Sequence, residues 1–151
     1  MIIRLATSAD VAEIRTLVMS LSHLYLKDNR DELPSWFRNS LTQESFQQRL
    51  DSTDYVNFVG VIDNELVGYL AMKRPSHLYH LFVSQQHQGK GLARAFWQHA
   101  MNQCRADVYT LNSSLYAVPV YRKFGFIESA EVGEKDGIGF QPMTLVANTA
   151  H

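Results

Sequence analysis

The chain has 151 residues, of which 46% are hydrophobic and 19% charged, and its formal net charge is -1 at pH 7. This composition is typical of a globular protein with one self-supporting core. A charge so near zero argues against nucleic-acid binding, which usually needs a basic face, and the one cysteine, Cys104, excludes an internal disulfide. The sequence lacks an apolar N-terminal leader and any run of about 18 apolar residues, so we expect a cytoplasmic protein that binds no membrane.

The first forty residues predict a strand and a helix, followed by an irregular segment. Residues 2–6, IIRLA, are short and apolar, as expected of a strand. Ser8 is a residue type that caps helices, and the apolar positions after it recur at helical spacing to about Tyr25. Residues 26–41 contain a proline and mixed charges and indicate no regular element.

The middle of the chain predicts a short helix and then three strands. Thr42 can cap a helix that ends near Leu50. Two apolar runs follow on either side of Asp63-Asn64, a pair typical of a tight hairpin turn. Residues 77–83, HLYHLFV, predict the third strand of this group.

The second half predicts helices between strands. Apolar residues form a helical stripe within residues 89–104, residues 107–112 predict a strand, and residues 114–123 predict another helix. Two closing strands follow Gly125. Helices separated by mostly antiparallel strands predict a mixed α/β sheet in a single domain.

A pair of glycines stands where a strand gives way to a helix, in QQHQGKGLARAF (residues 85–96). The first turn of a helix has free N–H groups and a partial positive charge, and Gly89 and Gly91 would let a phosphate approach the backbone. Lys90 and Arg94 would add positive charge nearby. The stretch matches neither GxxxxGK[ST] nor GxGxxG, which argues against two other phosphate-binding motifs. A tight loop that only joins strand to helix is the alternative.

Two motifs together resemble those of the Gcn5-related N-acetyltransferase superfamily. The superfamily's acetyl-CoA loop, [QR]xxGx[GA], is matched by Gln86 to Gly91, and its later segment is matched by Asn112 and by Tyr121 to Phe126. The resemblance implies a mixed, mostly antiparallel sheet of about seven strands with helices on both faces. Residues 1–147 would form the N-acetyltransferase domain and residues 148–151 a short C-terminal tail.

The resemblance implies transfer of an acetyl group from acetyl-CoA, as co-substrate, by direct attack of an acceptor amine, without a metal. The acceptor would be a small-molecule or peptide amine, and a homodimer is possible. A non-catalytic acetyl-CoA-binding or sensing module of the same fold is the alternative. A nucleotide-binding protein is a third interpretation.

The same resemblance implies which residues bind the co-substrate. Backbone amides of the glycine loop would hold the pyrophosphate, and an N–H of the preceding strand would polarise the thioester carbonyl, while Gln86 would support the loop. The implied binding residues are Leu81, Phe82, Val83, Gln88, Gly89, Lys90, Gly91, Leu92, Ala93, Asn112 and Tyr121.

The catalytic residues implied are Tyr121, which would protonate the leaving thiolate, and a base on the strand before the loop. That strand has no glutamate, which some members use, but has His77 and His80. The histidines are three positions apart, which predicts opposite faces of a regular strand, so at most one would face the acceptor. His77 matches the superfamily's base position better. A core role for Tyr121, and a core or surface role for either histidine, are the alternatives.

Overall fold

The computed structural model describes residues 1–21, 39–135 and 138–147. The part of the first helix predicted beyond residue 21, and most of the irregular segment 26–41, lie outside the described residues. The elements in chain order are β1 (Ile2–Leu5), α1 (Val11–Leu21), α2 (Gln43–Asp51), β2 (Tyr55–Ile62), β3 (Glu65–Lys73), β4 (His77–Val83), α3 (Leu92–Gln103), β5 (Val108–Ser114), α4 (Val118–Phe124), β6 (Ile127–Glu128), β7 (Gly133–Lys135) and β8 (Ile138–Val146).

The strands form one sheet in the order β1-β2-β3-β4-β5-β8-β6, and β7 pairs with β8. The β4–β5 pair is parallel, and the other pairs within the described residues are antiparallel. The mixed, mostly antiparallel sheet predicted from the sequence is confirmed. The prediction of about seven strands falls one short, because the three-residue β7 lies between the two closing strands that the sequence indicated.

Helices cover both faces of the sheet, as predicted. Side chains of α1 and α2 pack on one face, against Val59, Tyr69, Ala71 and Phe82. Side chains of α3 and α4 belong to the second cluster, which lies on the opposite face. We call these the α1–α2 face and the α3–α4 face. Buried residues of β3 alternate between the two clusters, and β4 contributes Phe82 to the α1–α2 face and Leu78 and Val83 to the α3–α4 face.

Local chemistry explains where the first elements begin and turn. Ser8 does not cap α1, contrary to the prediction, because the chain first forms a 3-10 turn that contains it. The Asp10 carboxylate accepts the N–H of Thr7 at 2.8 Å and two N–H groups of Arg4 at 2.8 and 2.9 Å. The predicted hairpin turn is confirmed. Asp63 and Asn64 have φ of 50° and 65°, the left-handed conformation that a two-residue turn needs.

Strand β4 contains a bulge that changes which way its histidines face. Ala71 of β3 lies opposite His80 and Met72 lies opposite Leu78, so Tyr79 has no opposite residue. The extra residue shifts the alternation by one position. His77 and His80 therefore lie on the same face, the α1–α2 face, and the prediction that they lie on opposite faces is wrong.

Strands β4 and β5 diverge soon after they begin to pair. Their parallel ladder consists of His77 opposite Thr110 and Leu78 opposite Leu111. Beyond these pairs the two strands separate, and the resulting opening in the middle of the sheet positions the site described below.

Two classes of site are not found in the described parts of the chain. Across residues 1–21, 39–135 and 138–147, no helix is both long and apolar enough to cross a membrane. The same ranges hold no cluster of three or more His, Cys, Asp or Glu residues placed to bind a metal ion.

Candidate active site

A groove of about 600 Å³ runs through the opening between β4 and β5. Leu81, Phe82 and Val83 of β4 line it on one side, and residues of β5, α4 and the turn between them line it on the other. The end of α1 reaches it through Leu21. The described residues that line the groove include no aspartate or glutamate, so the lining carries no negative side chain.

The glycine loop borders the groove at the N-terminus of α3. Gly89 and Gly91 have φ of 79° and 81°, a conformation that side chains other than glycine rarely adopt. A Cβ atom at either position would meet nothing within 4 Å. The first hydrogen bond of α3 runs from the N–H of Ala95 to the carbonyl of Gly91, so the N–H groups before Ala95 have no partner inside the helix. The loop therefore combines open space with free backbone N–H groups, the two features that an anion-binding site requires.

Hydrogen bonds to the last residue of β4 and to Ser84, which follows it, support this loop. Nε2 of Gln88 donates to the carbonyl of Val83 at 3.1 Å, and Oγ of Ser84 lies 2.9 Å from Nδ1 of His87. Gln86, predicted to support the loop, is exposed and lines a different cleft, which is shared with α1. Lys90 is exposed and does not line the groove, so only its backbone is placed to contribute to the loop.

Tyr121 lines the groove from α4. Its side chain is buried between the rings of Phe124 and Phe126, with ring centroids 5.9 Å away in each case. Within the described residues its hydroxyl makes no hydrogen bond to protein. Burial raises the pKa of this phenol above its usual value of 10. The hydroxyl is therefore protonated at neutral pH and free to act on a molecule in the groove.

Asn112 lies outside the groove lining. It is exposed on β5 and pairs with Pro142 of β8, so its predicted contact with the co-substrate stays a prediction. Ser114, two residues later, does line the groove, and its hydroxyl accepts the N–H of Ala117 at 3.2 Å. The serine thereby starts the turn that leads into α4.

His77 lies at the paired end of β4. Its Nδ1 is 2.8 Å from Oγ1 of Thr110, which holds the ring against β5. Burial and the nearby charge of Lys73 lower the pKa of the imidazole below 6.5. The imidazole of His77 is therefore neutral at pH 7. His77 is not among the residues that line the groove.

His80 occupies an aromatic environment. Its ring lies near those of Phe46, Tyr69, Tyr79 and Phe82, with centroids between 4.4 and 6.3 Å away, and its Nε2 is buried without a hydrogen bond. Burial and the charge of Arg49 lower its pKa to about 3. A group with this pKa does not hold a proton near neutral pH, which makes His80 a poor base.

Several groove residues were not predicted from the sequence. Their spacing of three to four residues places them on one face of a helical segment, but only the position of the groove shows that this face is functional. These residues are Tyr116, Val120, Lys123 and Phe124. Arg94, which the sequence placed near the loop, also lines the groove.

A family model described as an acetyltransferase (GNAT) domain matches residues 25–147, which include the glycine loop, α4 and all the described groove-lining residues except Leu21. The chain belongs to the GNAT acetyltransferase family. Its membership confirms the resemblance drawn from the two sequence motifs. No curated protein matches the chain closely enough to add a specific activity.

Solved structures show the same fold in the GNAT family at low sequence identity. A GCN5-related N-acetyltransferase from Rhodopseudomonas palustris is 21% identical with a TM-score of 0.77, and the alignment covers 97% of this chain and 95% of that one. PaiA N-acetyltransferase from Thermoplasma acidophilum, solved in complex with coenzyme A, is 17% identical with a TM-score of 0.78, covering 97% and 98%. Ribosomal-protein-alanine N-acetyltransferase from Brucella melitensis is 17% identical with a TM-score of 0.72, covering 97% and 100%.

Proposed function

We propose that this GNAT protein is an acetyl-CoA-dependent N-acetyltransferase in which an acceptor amine attacks the thioester directly. The observation that carries the proposal is the groove, which begins at the left-handed glycine loop and passes Tyr121, whose hydroxyl has no hydrogen-bond partner within the described residues. We assign this activity to residues 1–147.

The groove suits acetyl-CoA in both polarity and charge. The amides of residues 89–93 would hold the pyrophosphate, because free N–H groups and the dipole at a helix start favour anions. The N–H of Gln88, also predicted to take part, already donates to the carbonyl of Gln85 at 3.4 Å. Leu81, Val83 and Ala117 supply apolar walls for the pantetheine arm. A backbone N–H within residues 81–83 would polarise the thioester carbonyl, an interaction worth about 3–4 kcal/mol in other enzymes.

Tyr121 is the proposed general acid. A phenol with an ordinary pKa gives its proton to a thiolate at a cost of about 2 kcal/mol. Burial raises the pKa of Tyr121 and would raise that of a thiolate in the same groove as well, so the difference between them need not grow. The hydroxyl has no competing hydrogen bond within the described residues.

His77 is the proposed base. A primary amine is mostly protonated at pH 7, and deprotonating it costs about 4.6 kcal/mol, so a proton acceptor speeds the reaction. If Nδ1–H of His77 donates to Thr110, Nε2 keeps a lone pair that can accept a proton, directly or through water. We do not propose His80, because its ring is buried among aromatic side chains and this burial lowers its pKa to about 3.

A panel of amines tested with acetyl-CoA checks the proposal. The panel contains polyamines, amino acids and short peptides, and the measurements are thiol release and the mass of the acetylated product. We expect release that depends on the amine and yields one acetylated product per thiol. Tight binding of acetyl-CoA without transfer to any amine would favour a sensing module, and failure to bind acetyl-CoA would contradict both interpretations.

A further inference from the structure

Arg94 and Lys123 place positive charge on the part of the groove between α3 and α4, which we call the α3–α4 rim. The guanidinium of Arg94 lies 5.2 Å from the ring centroid of Phe124. Nη2 of Arg94 also donates to the carbonyl of Lys123 at 3.1 Å. All three residues line the groove. The rim thus carries two cations beside an aromatic ring.

Among the described residues, no carboxylate neutralises this rim. In the described part of the chain, neither Arg94 nor Lys123 forms an ion pair, and no acidic residue lines the groove. The neighbouring Arg122 differs, because it pairs with Glu128 and does not line the groove. Two unpaired cations at the edge of a ligand groove indicate an anionic group on the ligand.

The pyrophosphate of CoA has its own proposed site in the glycine loop. The glycine loop already offers it free backbone amides and open space. CoA also carries a third phosphate group, on the 3′ oxygen of its ribose. We propose that Arg94 and Lys123 bind this 3′-phosphate and so make the groove selective for CoA over 3′-dephospho-CoA. The inference rests on the proposed function, because it requires CoA in the groove.

Arg94 is held in place before any ligand binds. Contact with Phe124 and the hydrogen bond to the carbonyl of Lys123 both restrict its side chain. An arginine has five N–H donors, so one bond to a carbonyl leaves several for phosphate oxygens. A restrained guanidinium loses less conformational freedom on binding than a mobile one.

The test compares binding of CoA and 3′-dephospho-CoA by calorimetry, in the parent protein and in two variants. We expect the parent to bind CoA about tenfold more tightly, as one or two charge-assisted contacts would give. Arg94→Gln and Lys123→Gln should each weaken CoA binding and reduce this ratio, while 3′-dephospho-CoA binding changes little. Arg122→Gln is the control, since it removes one positive charge from α4, the helix of Lys123, at a position outside the groove lining, and it should keep the ratio.

The outcomes separate this inference from the proposed function. If the parent binds CoA and 3′-dephospho-CoA with equal affinity, the inference is overturned and the proposed function still stands. This comparison uses the parent protein alone and requires no variant. A variant that weakens both ligands equally would also overturn it, because the side chain would then act on a part that the ligands share. Binding of neither ligand by the parent would contradict the proposed function itself.

Discussion

Three buried tyrosines differ in what their hydroxyls do. Tyr69 donates to Oδ1 of Asn57 at 2.6 Å, and Tyr109 donates to the carbonyl of Cys104 at 2.6 Å. Tyr109 also accepts the N–H of Ala106 at 3.0 Å. The hydroxyl of Tyr121 has no such partner within the described residues, and the ring lines the groove.

This difference distinguishes the hydroxyls of Tyr69 and Tyr109, which have a structural role, from that of Tyr121, which is available to a ligand. A buried polar group usually has a partner, because leaving it without one costs about 1–3 kcal/mol. Tyr69 and Tyr109 follow this rule in the two halves of the core. Tyr121 differs, because its ring is buried while its hydroxyl, without a partner within the described residues, borders a groove where a ligand can reach it. Removing each hydroxyl therefore tests the comparison.

The largest expected effect is on catalysis by Tyr121→Phe. Turnover with the best acceptor should fall about 10²-fold, the lower end for loss of a general acid, while acetyl-CoA affinity stays close to that of the parent. Steady-state kinetics and calorimetry measure the two quantities. Tyr109→Phe, which removes the same atom from the core, is the control and should turn over normally when folded. Unchanged turnover in Tyr121→Phe would make this tyrosine structural.

The next effect is on stability, and here Tyr109→Phe should have the larger effect and Tyr121→Phe the smaller. Tyr109→Phe leaves the carbonyl of Cys104 and the N–H of Ala106 without their partner, so the free energy of unfolding should fall by about 1–3 kcal/mol. Tyr121→Phe should change it by less than about 0.5 kcal/mol, since no protein hydrogen bond is lost. Urea unfolding of both variants provides the measurement. An equal loss in the two variants would remove the distinction between these tyrosines.

A smaller effect concerns the pH dependence of turnover, which distinguishes the roles proposed for Tyr121 and His77. The base must be neutral to accept a proton, and burial lowers the pKa of His77, so turnover should rise with pH through a midpoint below 6.5. His77→Ala should lose this rise and about tenfold in turnover at pH 7, because water can replace the base only in part. Tyr121 should add no falling limb up to about pH 10, because its pKa is raised above the usual phenol value.

His80→Phe is the control for the pH profile. It removes the other imidazole of β4 and keeps a ring among Phe46, Tyr69 and Phe82. This variant should retain the acidic limb of the parent. If His77→Ala also retains the limb, the base is neither histidine.

Local signals in the sequence predicted much of the fold. The hairpin at Asp63-Asn64 and strand β4 at residues 77–83 appear where short-range patterns indicated them. The glycine loop before α3 was likewise predicted, because its glycines and the helical stripe lie together in the chain. These features depend on neighbours within a few residues.

Features that depend on distant pairing were not predicted. The bulge at Tyr79 arises from the register between β3 and β4, and it reversed the expected relation between His77 and His80. The groove residues on the turn after β5 and on α4 depend on where β4 and β5 separate, which no local pattern encodes. Ser114 illustrates this, since it lines the groove while Asn112, which was predicted, does not.

The most direct test of the central claim is a calorimetric titration of acetyl-CoA into the parent and into Gly89→Val. In the free protein a Cβ at residue 89 meets nothing within 4 Å, so the variant should fold with only the backbone strain of about 1–2 kcal/mol. Gly125→Ala, at another left-handed glycine outside the groove lining, is the control for that strain, and its Cβ would in addition lie 3.1 Å from Cδ1 of Leu145. We expect the affinity for acetyl-CoA to fall more than tenfold in Gly89→Val and to be retained in Gly125→Ala. Unchanged affinity in a folded Gly89→Val variant would contradict a phosphate site at this loop.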